Sequence, residues 1–435
     1  MKTVNLSAFR KLTASLKVNG KRSKTIKFYT LGCKVNQYET QQMREKFIRL
    51  GFRELENGLP ASVYVINSCT VTQRADSESL NFIRRAKREN RGAQIIVTGC
   101  LTELDGSKIR KVYPNSLIVK NRDKEKLLGE KRGISSFRGR TRAFLKIQDG
   151  CNNHCAYCKV PLARGPSRSR PLEEIVCEAK RLAGNGFKEI VLTGICLGSY
   201  GKDFKNELTI CAVIEELEKI DGISRIRLSS IEAAQITDGL IDKLAVSNKL
   251  CPHLHIPIQS GDDQILKKMN RRYTSANYLS LVSKIRSKIP LIAITTDVLV
   301  GFPGETEENF QNTVKLLREI TPLKTHIFPY SEREGTPAQE KYKQPLSPLL
   351  LKKRSSFLAE TAGKLSIMYK KQFLGRKLNV LVEGRLKAAP SFWVGYTDNY
   401  IRVLIRSGLD LSNRLIQVEL RTIMKDDVTS RIAKT

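Results

Sequence analysis

The chain is poor in histidine, in acid and in long apolar runs, and each shortage closes off a class of function. Only four histidines occur, His154, His253, His255 and His326, and no arrangement of Ser/His/Asp type competes as a source of chemistry. No apolar run approaches the roughly 20 residues that a membrane-spanning helix needs, so no membrane partner is expected. No signal peptide with an apolar core is visible, and the ten cysteines follow no pattern of a small secreted scaffold. A reducing, cytoplasmic setting with metal-bound thiolates is expected instead of disulfides. Acids number 43 against 76 Lys and Arg, a formal net charge of +33. That excess favours a polyanionic partner, most simply nucleic acid, though bulk charge does not separate RNA from DNA or from an anionic membrane surface. Residues 1–24 contain no acid at all. They read as a disordered basic tail touching RNA phosphates, with an organellar presequence as the alternative.

What is present centres on one stretch, Cys151-Asn-Asn-His-Cys155-Ala-Tyr-Cys158. Three thiolates at this spacing can close on one small metal cluster, and soft sulfur ligands suit iron–sulfur clusters, zinc or copper(I). Structural zinc normally takes four protein ligands. A loop of three cysteines leaves one metal corner open, as a [4Fe–4S] cluster requires if a substrate must bind it. A partial zinc site shares the same short pattern.

Between Thr25 and about Leu128 a second set of cysteines appears at the ends of strand-like runs. These are Ile26–Cys33, Val63–Cys69 and Ile95–Cys100, with helical patterns after the first two around Tyr38–Leu50 and Ser77–Glu89. Strand–helix alternation implies a parallel sheet, and such sheets gather functional groups beyond their strand carboxyl ends. Cys33, Cys69 and Cys100 can therefore converge on a second cluster. The competing reading is three small half-buried core cysteines.

From Arg142 the alternation resumes with strands at Ala143–Gln148, Glu189–Thr193, Arg225–Ser229, His253–Gln259, Ala293–Val300 and Thr325–Tyr330. The intervening helices are read at Leu172–Ala183, Glu207–Lys219, Asp238–Val246, Asp262–Lys268 with Ser275–Lys288, and Glu307–Glu319. Six such units predict a partial (β/α)6 barrel with its chemistry at the strand C-terminal face. Residues at that face are candidates to hold a cofactor: Thr193 and Gly194, Ser230 and Glu232, Gln259, and Gly301 and Glu305. Each alone is also compatible with an ordinary turn or cap. The charge-dense Lys341–Arg354 reads as a solvated face or linker.

Together these segments resemble the radical S-adenosylmethionine (SAM) methylthiotransferases. The cysteine loop matches their CxxxCxxC motif, including the aromatic Tyr157. So do Thr30-Leu-Gly-Cys-Lys-Val-Asn-Gln-Tyr-Glu-Thr40, Val191–Gly194, Leu197–Gly201, His253–Gly261, Met269-Asn-Arg-Arg-Tyr-Thr274, Gly301–Glu305, His326–Tyr330 and Gly335–Pro337. The resemblance implies two [4Fe–4S] clusters. Cys151, Cys155 and Cys158 hold the one whose open iron binds SAM for one-electron cleavage. Cys33, Cys69 and Cys100 hold an auxiliary cluster that carries the sulfur, and a second SAM supplies the methyl group. It further implies a tRNA anticodon stem-loop, a one-electron reductant and a sulfur donor as partners. The Leu-Gly-Cys-Lys-Val-Asn-Gln-Tyr-Glu form is similar to the branch acting on C2 of N6-threonylcarbamoyladenosine, and a sister branch acts on isopentenyladenosine. One departure stands out: Cys196 occupies a position where that branch usually has histidine. Cys177 and Cys211, inside helices, are expected in the core, and Cys251 has no evident role.

After about Met368 short strands at Lys377–Glu383, Phe392–Tyr396, Tyr400–Ile405 and Arg414–Arg421 predict a small β-barrel, and Gly395–Tyr400 looks like a TRAM domain. Phe392, Trp393, Tyr396 and Tyr400 are either stacking faces for bases, beside Arg402 and Arg406, or barrel core. The expected division is a tail over 1–24, a methylthiotransferase domain over 25–135, a radical SAM domain over 136–367 and a TRAM-like domain over 368–433. A non-catalytic RNA-binding protein with zinc or structural clusters is the reading from another class.

Overall fold

The computed structural model describes residues 24–433 apart from 57, 129–132, 207 and 343–344, with the backbone of 17–18 and 21–22. Within the basic tail expected to be disordered, Lys17–Val18 pairs antiparallel with Lys21–Arg22, and the rest before Lys24 lies outside the described residues. Among the described residues no helix is long and apolar enough to cross a membrane.

The first region is a five-stranded parallel sheet. Its strands are β1 (Thr25–Thr30), β2 (Arg53–Glu54), β3 (Val63–Ser68), β4 (Gln94–Gly99) and β5 (Leu117–Ile118), in spatial order β2-β1-β3-β4-β5. The central β3 is buried along its whole length, as a strand covered on both faces must be. Alternate side chains feed two cores. Tyr64 and Ile66 pack with Ile83 and Ile109 on one face, and Val63 and Val65 pack with Met43 and Phe47 on the other. The register brings Thr30 level with Asn67 and Asn67 level with Thr98, so all three central strands end at one height. Helix α1 (Lys34–Arg49) starts directly after Cys33, and α2 (Gln73–Glu89) starts with Thr72 accepting from the Ala75 N–H.

The second region holds six parallel strands: β6 (Arg142–Lys146), β7 (Glu189–Thr193), β8 (Arg225–Leu228), β9 (His253–His255), β10 (Ala293–Val300) and β11 (Lys324–Pro329). They pair in chain order as two ladders of three, joined by the single bridges Ile226–Leu250 and Ser230–His255. The result is an open, incomplete barrel, with helices including Leu172–Gly184 and Glu307–Ile320 packed outside. Inside-out alternation is plain on β10: Ile294, Val298 and Val300 join the core beneath the helices, leaving Thr295 and Asp297 for the concave side.

Two sequence expectations are corrected beyond this barrel. Residues taken as a solvated linker enter a 24-residue helix, α3 (Pro348–Lys371), capped by Ser347. Arg354 is buried rather than solvated, because it pairs with Glu305 at 2.9 Å. Leu358 and Leu365 belong to the barrel's core, while Tyr369 belongs to the next. The helix is therefore a strut between two cores, running across the boundary expected at 367/368. The last region is a closed five-stranded barrel of β12 (Lys377–Leu386), β13 (Ala389–Thr397), β14 (Arg402–Arg406), β15 (Leu415–Met424) and β16 (Asp427–Ile432), in order β12-β13-β14-β16-β15. Its fifth strand carried too little apolar alternation to be read from sequence. Cys177 is also corrected: it is exposed, because its helix turns Ile175, Ala179 and Leu182 inward and Cys177 away. Cys211 is half-buried against the barrel core, and Cys251 is buried.

Candidate active site

All ten cysteines are free thiols. In the loop after β6, each of the three ligand candidates receives an N–H. The Asn153 amide reaches Cys151 Sγ at 3.4 Å, Arg271 Nη1 reaches Cys155 Sγ at 3.3 Å, and the Val160 amide reaches Cys158 Sγ at 3.4 Å. At Cys158 burial outweighs the Val160 amide and pushes the thiol up to about 11, so its proton must leave before a metal binds. The loop is pinned from outside: the Ala156 N–H donates to Met269 O, the Ala338 N–H donates to Ala156 O, and Asn270 Nδ2 donates to His154 O. Tyr157 packs against the cluster of Ile265, Met269 and Phe302 beside that loop, and burial pushes its phenol well above its usual range. Arg271 also pairs with Glu232, which ties a predicted cofactor-facing carboxylate to the loop.

The second trio sits where the level strand ends of the parallel sheet leave it. Cys69 and Cys100 are buried and Cys33 is exposed. Cys69 feels Cys100 and Cys33 electrostatically, and Cys100 feels Cys33. Burial pushes Cys69 up to about 12 and Cys100 upward as well. Their protons must leave before a metal binds, so ligation is coupled to pH. The two trios are neighbours, since Cys158 lies within electrostatic reach of Cys100. Asn121 connects their surroundings, donating to Ala163 O at 2.8 Å and lying 3.8 Å from Cys100 Sγ.

Glycine precedes a ligand candidate at three positions with positive φ: Gly32 at 90°, Gly99 at 98° and Gly150 at 73°. A side chain there is doubly barred. A Cβ on Gly99 would lie 2.2 Å from Ser68 O, and one on Gly150 would lie 1.9 Å from Pro166 O. These glycines let the chain turn sharply into the sulfur-bearing residue.

A buried ionic knot lies beside the strand-end trio. Glu39, 2% exposed, accepts from Lys124 at 2.6 Å and from Lys146 and Arg164 at 3.1 Å each. Asp149 accepts from Lys146 at 2.6 Å and from Arg164 at 2.8 Å. Burial alone would raise the Glu39 carboxyl, but Arg164, Lys124 and Lys146 overrule it and hold it well below its usual range. Three cations against two carboxylates leave positive charge beside Cys100, and Arg164 and Lys124 both act on that thiol. The knot joins the first sheet to the barrel. A second link is Arg333, which donates to Asp76 at 2.7 Å and to Thr70, next to Cys69, at 2.8 Å.

The other predicted contacts divide into two groups. Ser230 bridges to His255, and Gln259, at φ 64°, bridges to Val298, so both lie in the barrel wall. Gly194 faces the Gln148 side chain, whose Oε1 accepts from the Ile195 and Cys196 amides. Thr193 and Glu305 are turned inward. The Thr193 hydroxyl donates to Val191 O at 3.1 Å, and the Glu305 carboxylate accepts from the Gly301 N–H at 3.0 Å and from Arg354. Cys196 is buried against Asn153, Ser199 and Gln235, and a hydrogen bond with Cys151 brings its thiol down to about 6.

The donor set fits iron–sulfur clusters better than zinc. Among the described residues, the one set of three His, Cys, Asp or Glu ligand atoms lying within 4.8 Å of one another is His255, Asp297 and His326. Neither cysteine trio closes that tightly, whereas sulfurs on a single zinc at about 2.3 Å each would.

Residues 145–317 match the model of the radical SAM superfamily, and residues 25–120 match that of the uncharacterized protein family UPF0004. The chain is 39% identical over 423 residues to the threonylcarbamoyladenosine tRNA methylthiotransferase MtaB of Bacillus subtilis, covering 91% of this chain and 93% of that protein. The chain belongs to the radical SAM tRNA methylthiotransferases. It is accordingly a transferase whose family uses SAM and a [4Fe–4S] cluster. A MtaB of Thermotoga maritima is 36% identical, with 87% of this chain and 91% of that one covered. The tRNA-2-methylthio-N(6)-dimethylallyladenosine synthase of Clostridium botulinum strain Okra is 33% identical, with 90% and 93% covered. In fold the methylthiotransferase chain resembles the radical SAM methyltransferase TsrM of Kitasatospora setae, at a TM-score of 0.53 and 14% identity over 73% of this chain and 77% of that one.

Of the four aromatics read as either base-stacking faces or barrel core, Trp393, Tyr396 and Tyr400 are engaged internally and Phe392 is half-buried. Trp393 is buried in the C-terminal core. Tyr396 and Tyr400 stack at 5.1 Å, Arg142 and Arg227 lie over the Tyr400 ring at 5.3 and 4.7 Å, and His253 sits 4.7 Å from it. They form a pin between the two barrels. Sequence reasoning also gave no role to Glu39, Arg164, Arg271 and Arg333. The motifs holding Glu39 and Arg271 were visible, but the partners of all four lie far away in the chain.

Proposed function

We propose that this methylthiotransferase acts on tRNA, exchanging the C2–H of N6-threonylcarbamoyladenosine beside the anticodon for C2–S–CH₃ with two [4Fe–4S] clusters. The observation that carries the reading is the meeting of two cysteine trios at one mouth of the barrel, each with three sulfurs and neither closing as tightly as one zinc requires. On this reading Cys151, Cys155 and Cys158 hold the cluster that binds SAM, and Cys33, Cys69 and Cys100 hold the cluster that carries sulfur. Bound there, the clusters and SAM supply the one-electron chemistry and the sulfur that an unactivated aromatic C–H demands.

The chain's own residues orient and shield. Arg271 steadies the Cys155 sulfur and keeps Glu232 at the loop. Gly194, Ser230, Gln259 and Gly301 lie at strand ends around the mouth, where close backbone approach suits a nucleotide-like cofactor. Thr193 and Glu305 shape those turns from inside. The cation surplus around Glu39 offsets the negative charge that cysteine-ligated clusters bring.

The threonylcarbamoyl branch is favoured by the Leu31–Glu39 motif and by the 39% identity to a MtaB against 33% to a dimethylallyladenosine synthase. Nucleoside mass spectrometry of tRNA from a strain lacking the gene tests it. Loss of 2-methylthio-N6-threonylcarbamoyladenosine is the expected result, and loss of the isopentenyl derivative instead would assign the sister substrate. Stoichiometric zinc without iron after anaerobic reconstitution would return the chain to the non-catalytic reading. The exposed bases of the C-terminal barrel, among them Lys377, Arg385, Arg406 and Arg414, suit the tRNA backbone.

A further inference from the structure

The concave face of the barrel carries a polar set that neither cysteine trio uses. It lies roughly 13 Å down the strands from the mouth, since Asp297 stands four residues before Gly301 on β10. The last three strands run side by side, with His255 level with Thr295 and Asp297 level with His326. Ligand atoms of His255, Asp297 and His326 all lie within 4.8 Å of one another. His255 Nε2 is 3.1 Å from Asp297 Oδ1, and the two imidazole rings are 5.7 Å apart.

Support and charge both suit a bound cation. His255 Nδ1 lies 2.9 Å from Thr295 Oγ1, which in turn lies 3.0 Å from His253 Nε2. That chain fixes the His255 ring with Nε2 turned toward Asp297, the arrangement by which proteins orient a metal-binding histidine. It ends on firm ground, because His253 is buried and its ring is 4.7 Å from that of Tyr400 in the C-terminal barrel. His326 makes no hydrogen bond to any described residue. Among the described residues Asp297 forms no ion pair with lysine or arginine, only the contact with His255. The two guanidiniums over Tyr400 are already matched, Arg142 by Glu383 and Arg227 by Glu189, at 2.7 Å each. Lys34 and Lys324 also act on His326, but neither pairs with Asp297, so they weaken a cation's seat without occupying it. The unmet charge on this face is negative, and a carboxylate drawn out of water without a cation is costly.

We propose that His255, Asp297 and His326 bind one divalent first-row transition-metal ion, separate from the iron–sulfur clusters, with Thr295 and His253 as the support that orients His255. Two imidazoles and one carboxylate suit such an ion. Three protein ligands leave a position open for water or a substrate oxygen. A plain His–Asp pair would account for His255 and Asp297, but it leaves His326 beside them without a role.

The test uses the full chain with its clusters reconstituted, cleared of loose metal with a chelator and dialysed anaerobically against Co²⁺. Bound cobalt and iron are then read together by mass spectrometry. Wild type should hold one cobalt per chain. Thr295→Val should weaken cobalt binding about 10-fold, the cost of losing a partner that orients a ligand, and Asp297→Asn and His326→Phe should weaken it further. Iron should stay at the wild-type level in all three, which separates this seat from the clusters and shows that the variants fold. Thr295→Val is nearly isosteric and keeps the test open if a ligand variant fails to fold. Cobalt held on a stray cysteine would be indifferent to every one of these substitutions. A wild type that retains no cobalt, or variants that retain as much as wild type, would overturn the proposal.

Discussion

The two cysteine trios make the same kind of site by opposite routes. Cys151, Cys155 and Cys158 come from one loop, and backbone or nearby side-chain N–H groups serve their sulfurs. Cys33, Cys69 and Cys100 come from three strand ends, where the buried Arg164 and Lys124, from other elements, act on Cys100 while the Val71 and Thr70 amides serve Cys69. A local loop needs only its own turns to be correct. A site built on strand ends needs the whole sheet in register, so it inherits the stability of the fold that carries it.

The largest effects come from removing a sulfur. Cys69→Ala should lower iron from about eight to about four per chain, abolish methylthio product and leave SAM cleavage running. Cys155→Ala should lose a similar amount of iron and stop SAM cleavage too. Equal iron in Cys69→Ala and wild type would erase the distinction between the trios.

Next comes the ionic knot, which only the strand-end trio borders closely. Glu39→Gln leaves Lys124, Lys146 and Arg164 buried with a single carboxylate. A loss of about 3–5 kcal/mol in urea unfolding is expected for breaking such a network from one side. The pH dependence follows with a definite sign. The folded carboxyl lies well below its unfolded value of about 4.3, so Glu39's contribution is fully present above that pH and is lost progressively as pH falls from there through the folded value. Urea midpoints at pH 6 and pH 3.5 should differ more for wild type than for Glu39→Gln.

Smaller still are the glycine turns. Gly99→Ala and Gly150→Ala each force a residue with a side chain into positive φ against a carbonyl, at about 1–3 kcal/mol before relaxation. Gly99→Ala should deplete the auxiliary cluster selectively and Gly150→Ala the other, as read by iron content and SAM cleavage. The smallest effect is one that both trios should leave alone. If about five phosphates are neutralised, tRNA affinity should fall with a log–log salt slope of roughly −3.5 to −4.5, unchanged when the clusters are stripped.

Much of the architecture was legible because its periodicity is local. Glu189–Thr193, Ala293–Val300, Asp238–Val246 and Ser275–Lys288 were read residue for residue. The strut Pro348–Lys371 was missed because its flank is dense in lysine, and charge density hid Leu358 and Leu365, which face the barrel's core, and Tyr369, which faces the next. Tyr400 was left between a platform for RNA bases and barrel core, because an aromatic beside arginine suits either role. Only packing shows that the arginines over its ring, Arg142 and Arg227, come from the barrel instead.

Spacing in the chain by itself determined the first trio, the strand ends that carry the second, and the charge that suits a polyanion, since each depends on residues that are neighbours or on composition. Tertiary structure alone decided that the trios adjoin and that Glu39 gathers Lys124, Lys146 and Arg164 beside the strand-end trio. Those pairings join residues dozens to hundreds of positions apart, and only the folded backbone, by desolvating charges and bringing their partners within a few ångströms, makes the pairings exist.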